Sequence, residues 1–221
     1  MKLKKIASLM LAGVMAISML AGCSNGTKPD DGEKDPVVNT GMTGSVIAAL
    51  DEDTTKNVEF TADSNLEAVL KKAIQNAGYD GLNNIDAKTL NDIDSDISKS
   101  GKLANVGLKS GSTKDDDKKE SNATIVVTLE GKGMNETTVA KQLAAKIDVT
   151  NVGKASNKNV GWDELPEYSY TFTDDDNKSF WYNFDYTAGV AVVDVSDAVT
   201  GETTYVVAVT VTRTPTQTYK A

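Results

Sequence analysis

The chain has 221 residues, 23 basic and 32 acidic, for a formal net charge of −9, with one cysteine and no histidine. The missing imidazole excludes Ser-His-Asp and Cys-His triads, imidazole zinc sites and histidine acid–base catalysis. A lone arginine, Arg213, in an acidic chain excludes the basic patch a nucleic-acid interface needs, so no nucleic-acid partner is expected.

At the N-terminus, Met1-Lys2-Leu3-Lys4-Lys5 is basic, and Ile6 to Ala21 is apolar but softened by Ser8, Gly13 and Ser18. That run is shorter than the ~20 residues of a membrane-spanning helix. A basic start, a short apolar core and small residues at its end form a secretory signal. Its last four residues, Leu20-Ala21-Gly22-Cys23, resemble the lipobox of bacterial lipoproteins at every position. The resemblance covers residues 1–23 only. It implies cleavage between Gly22 and Cys23 and lipidation of the Cys23 thiol. It also implies attachment to the extracytoplasmic side of the cell membrane through palmitate-class acyl chains. Two chains matter physically, because one anchors only marginally. Loss of Lys2, Lys4 and Lys5 with the signal takes the net charge from −9 to −12. Anionic headgroups would repel such a body.

Residues 23–43, with Gly26, Pro29, Gly32, Pro36 and Gly41, lack apolar periodicity and read as a flexible tether. The remainder, 44–221, is long enough for one extracytoplasmic domain, or for two subdomains at 44–110 and 122–221. A single cysteine allows no intrachain disulfide, so an apolar core must hold the fold.

Ser45 to Leu50 is a short apolar run, strand or helix start. Asn57 to Thr61 alternates like a strand. Ser64 and Glu67 form a capping box ahead of Leu66, Val69, Leu70, Ala73, Ile74 and Ala77, which predicts a helix over 65–77 ended by Gly78. Asp86 caps a second predicted helix at 87–98. Asn105 to Leu108 reads as a short strand, and 110–122 as a polar loop. Ala123 to Glu130 is β-rich. Asn135 or Thr137 caps a third helix through Val139, Leu143 and Ile147. The strand–helix order of 123–147 echoes that of 57–77, a candidate pseudo-repeat. Residues 151–163 read as a loop.

Every aromatic residue except Phe60 and Tyr79 lies beyond position 161. Four strands are expected there: 168–173, 180–186, 189–196 and 203–214, the last ended by Pro215. Short turns at 174–178 and 197–202 join them as an antiparallel meander. The predicted class is α+β, an antiparallel sheet with about three helices packed on one face.

Carboxylates, Lys, Tyr, Ser and Thr are the chemistry left. Asp92, Asp94 and Asp96 open like a calcium loop, but Ile97 and Leu103 stand where such a loop needs glycine and glutamate. They read as an acidic helix face. Asp115-Asp116-Asp117 and Asp174-Asp175-Asp176 read as solvated loop tips. No metal or cofactor is expected. Asp163, Glu164 and Glu167 lie near Trp162 and Tyr168, the residue types of a glycosidase site. The aromatic-rich segment offers a ligand platform through Trp162, Trp181, Tyr168 and Tyr182, since a ring presents apolar area with a polar edge. The alternative is that these rings fill the core. The sequence favours binding over catalysis. The expected function is a lipid-anchored binding or scaffold module for a glycan or protein partner. Its alternatives are a surface glycan-processing hydrolase and a structural subunit of an envelope complex.

Overall fold

A computed structural model describes residues 39–76, 117–155, 158–169, 172–173, 178–197 and 199–219. The signal peptide, Cys23, the helix at 87–98, the strand at 105–108, Asp92, Asp94 and Asp96, Asp115 and Asp116, and the turn at 174–176 lie outside them.

The elements run α1 (Gly41–Ile47), α2 (Glu52–Thr55), β1 (Val58–Ala62), α3 (Ser64–Asn76), β2 (Ser121–Glu130), α4 (Glu136–Asp148), β3 (Gly153–Ala155), β4 (Lys158–Val160), a 3₁₀ turn at Trp162–Glu164, β5 (Phe172–Thr173), β6 (Ser179–Ser196) and β7 (Thr203–Tyr219). The main sheet has the order β1-β6-β7-β2, with β5 also paired to β6; β3 and β4 form a separate hairpin. The class is α+β, with a mixed, mostly antiparallel sheet. β1 departs from the expected antiparallel pattern by pairing parallel to β6 from Val58↔Tyr186 to Ala62↔Val190. Because β1 joins the C-terminal strands in one sheet, 58–62 and 179–219 share one core.

The expected strands at 180–186 and 189–196 are one strand of 18 residues. Gly189 does not break it. A Cβ there would lie 2.8 Å from Asp63 Oδ2, so the glycine makes room for the start of α3. Pro215 does not end β7, which runs on to Tyr219. Pro215 faces Phe184, whose N–H points the other way and donates to Glu167 O (2.9 Å). The donor that proline lacks therefore faces outward. There β7 has run past Ser121, the first residue of β2, which pairs with Arg213.

The helices lie on both faces of the sheet, not on one. Leu66, Leu70, Ala73 and Ile74 of α3 pack on Ala191, Val193, Val206 and Ala208. Val46 of α1 and Val139, Leu143 and Ile147 of α4 pack in the other cluster, with Tyr182, Phe184, Tyr186, Val190, Val207 and Val209. The two strand–helix units therefore differ. β1 is parallel to its neighbour and β2 antiparallel, with their helices on opposite faces, so no structural repeat links them.

Caps explain the helix starts. Asp63, rather than Ser64, caps α3: its Oδ1 accepts from the N–H groups of Asn65 and Leu66 (2.9 and 3.0 Å). Asn135 caps α4, accepting from Thr138 N (2.9 Å), as expected. The body begins inside the stretch expected as tether. Asn39 Oδ1 accepts from Ala62 N (2.9 Å), and α1 starts at Gly41.

Candidate binding face

The open face follows from a mismatch of lengths. β6 spans about 60 Å at strand rise, whereas the 13 residues of α3 cover about 20 Å. Burial along β6 records this. Residues 190–193 are buried on both sides of the sheet, whereas from 180 to 188 only alternate residues are buried. Asp63 sits over Gly189 at the boundary. Beyond it, Asn183, Asp185, Thr187, Thr214 and Thr216 are exposed, and Trp181, Thr212 and Thr218 half-buried. Strand register sets them in four cross-strand pairs: Trp181–Thr218, Asn183–Thr216, Asp185–Thr214 and Thr187–Thr212.

Tyr168 joins this face. It bridges to Asn183 in antiparallel fashion and is 59% exposed. Ser169, fully buried, fixes the segment beside β6. Its N–H donates to Tyr182 O, and its hydroxyl accepts from Tyr182 N, both at 2.8 Å. The face carries its own hydrogen bonds. Trp181 Nε1 donates to Asn183 Oδ1 (3.2 Å), and Asn183 Nδ2 donates to Thr218 Oγ1 (2.7 Å). These hold the indole in place.

Two of the four expected platform rings are core instead. Trp162 is 2% exposed, packs on Phe60 with ring centroids 5.2 Å apart, and donates Nε1–H to Ile147 O (2.8 Å). That carbonyl belongs to the last turn of α4, where acceptors lack helical partners. Tyr182 is 6% exposed and meets Phe180 edge-on. The parity of β6 decides this: even positions face the core and odd positions the open face.

The carboxylates of the glycosidase pattern do not surround one cavity. Asp163 lines a cleft of about 200 Å³ with Asp51, Asp53, Thr54, Asp148 and Trp162; Glu164 and Glu167 do not. Sequence reading missed Asp148. Burial raises its carboxyl above the usual range, opposed by hydrogen bonds from the Thr54 side chain and the Asp51 N–H. Asp117, expected as a solvated loop tip, is 1% exposed, with its Oδ1 3.8 Å from the equally buried Arg213. Among the described residues no group of three or more acidic or cysteine side chains is arranged to hold a metal ion.

The threonines were also missed. The signal is legible: Thr210, Thr212, Thr214, Thr216 and Thr218 occupy every second position of β7. Thr210 is spent inside the sheet, its hydroxyl 3.0 Å from that of Thr124, and the next four lie on the open face. No protein-family model, no curated protein and no solved structure matches this chain.

Proposed function

We propose that this protein is a lipid-anchored extracytoplasmic binding module, held to the cell membrane through Cys23, which recognises a glycan or protein partner on the Trp181 face. The observation that supports it most is the uncovered half of the β6–β7 ribbon. Trp181 and Tyr168 stand there beside a row of threonine hydroxyls. A side chain as apolar as tryptophan at an exposed sheet face suits a partner that covers it. Crosslinking in intact envelopes, comparing the wild-type chain with a Trp181→Ala/Tyr168→Ala variant, tests this. The expected result is a partner recovered by the wild type and lost in the variant. Equal recovery by both chains would contradict the proposal.

One observation favours the glycan-processing hydrolase as a second reading. Asp148, with its raised carboxyl, shares a cleft with Asp163, and general acid catalysis needs such a group. Under that reading Asp148→Asn abolishes glycan cleavage and leaves glycan binding intact. Unchanged cleavage by Asp148→Asn would end it.

A further inference from the structure

We infer that the ligand of the Trp181 face is an extended, uncharged polysaccharide chain lying along β6 and β7. The inference rests on the binding reading above and narrows its partner to one chemical class.

Shape comes first. The pairs from Trp181–Thr218 to Thr187–Thr212 form one row along the β6–β7 ribbon. The row is about 20 Å long, with side chains repeating about every 7 Å along each strand. A single sugar ring would touch only one or two of these pairs. A chain of rings would touch them all, offering hydroxyls at intervals to hydroxyls at intervals.

Chemistry comes second. Five of the eight paired side chains are threonines, one is Asn183, and Trp181 is the only large apolar group among them. Protein interfaces concentrate their energy in clustered apolar and aromatic anchors set in pockets. Among the described residues this face has no such cluster beyond Trp181 and the neighbouring Tyr168. Threonine hydroxyls and the Asn183 amide both donate and accept, as sugar hydroxyls do. Trp181 and Tyr168 supply rings against which the C–H faces of a sugar can stack.

Charge comes third. Asp185 is the one ionisable side chain in the four pairs, and it is exposed. The chain as a whole carries −9. A polyanionic glycan would meet repulsion at the centre of the row and from the body behind it. An uncharged chain meets neither, and it can hydrogen-bond to the Asp185 carboxylate.

The test is a titration of the full-length chain with cello-, manno- and N-acetylchito-oligosaccharides of increasing length. Oligogalacturonates of matched length serve as the anionic counterpart. The expected result is affinity for a neutral series that climbs with length until the oligomer covers the row, then levels off. Trp181→Ala is expected to weaken the long oligomers by about tenfold or more. Thr214→Val/Thr216→Val, which keeps side-chain shape and removes hydroxyls, is expected to flatten the length dependence. Several results would overturn the inference while leaving glycan binding standing. These are equal affinity for short and long neutral oligomers, equal or tighter binding of the anionic series, and a length dependence unchanged in the threonine variant. Binding of no oligomer by a folded chain overturns the inference and, with it, the glycan arm of the functional reading.

Discussion

Arg213 is the largest side chain that the described fold buries completely, and it is the only arginine in the chain. Its guanidinium carbon lies 4.3 Å from the centre of the Phe184 ring, and its Nη1 lies 3.8 Å from Asp117 Oδ1. Asp117 is an ion partner of this buried charge, and removing one member of a buried pair is costly. Asp117→Ala is expected to lower unfolding stability by about 3–5 kcal/mol in urea melts. Adding Arg213→Met to it is expected to restore most of that loss. Asp148 gives a prediction of opposite character. Its carboxyl titrates higher in the folded chain than in the unfolded one, chiefly through burial. Between those two values the folded state holds a proton that the unfolded state has released. Stability therefore falls as pH rises through that window, and the penalty is complete above it. Asn at this position can still accept from Thr54 and the Asp51 N–H. Asp148→Asn is thus expected to raise Tm at neutral pH and to leave it unchanged below the carboxylate range. A lowered Tm at neutral pH would show that burial is not what this carboxyl suffers. Neither Asp117 nor Asp148 was legible in the sequence as more than an acidic residue. Both owe their character to the folded chain, Asp117 to the distant Arg213 and Asp148 to burial.

At the scale of elements, the junction of β1, α3 and β6 is a close approach of backbone and side chain. Gly189 lies under Asp63, which continues the parallel pairing by donating its N–H to Val190 O (2.9 Å) before capping α3. Gly189→Ala would push a methyl group into that cap, a cost of about 1–3 kcal/mol by overpacking. Combined with Asp63→Gly, which removes the obstructing side chain and keeps a tolerated cap residue, the alanine is expected to cost clearly less. The turn between β6 and β7 has a similar organiser in Asp197. Its carboxylate accepts from Val199 N and Thr200 N (2.6 and 3.1 Å), which hold it below the usual carboxylate range, while Gly201 takes a φ of +70°. With the folded value lowered, that stabilisation is present above the ordinary carboxylate range and lost as pH falls below it. Local signals predicted much of this layer. The periodicity of Leu66, Leu70, Ala73 and Ile74 placed α3, and the cap at Asn135 placed α4. Pairing was not legible. Nothing local tells β1 to lie parallel to β6, or lets β7 continue through Pro215, since both depend on which edges are free. The same limit misplaced Trp162: its indole is fixed by the end of α4, an element with no signature near Trp162 in the sequence.

At the scale of the whole molecule, the central feature among the described residues is a sheet longer than the helix that covers one of its faces. Among the described residues no helix is long and apolar enough to cross a membrane. The proposed attachment is through Cys23. Cys23→Ala is expected to leave the precursor unprocessed and without lipid label; labelling at the wild-type level would refute the anchor. The proposed binding face can be read directly, because the two tryptophans differ so sharply in environment. Trp162 is 2% exposed and locked to Ile147, whereas Trp181 stands half-buried on the open face. The decisive measurement is tryptophan emission of the full-length chain and of Trp181→Phe during titration with isolated envelope glycan. The expected result is a saturable blue shift in the wild type that is absent from Trp181→Phe. An emission spectrum unchanged by the glycan, or the same shift in both chains, would contradict glycan recognition at the Trp181 face.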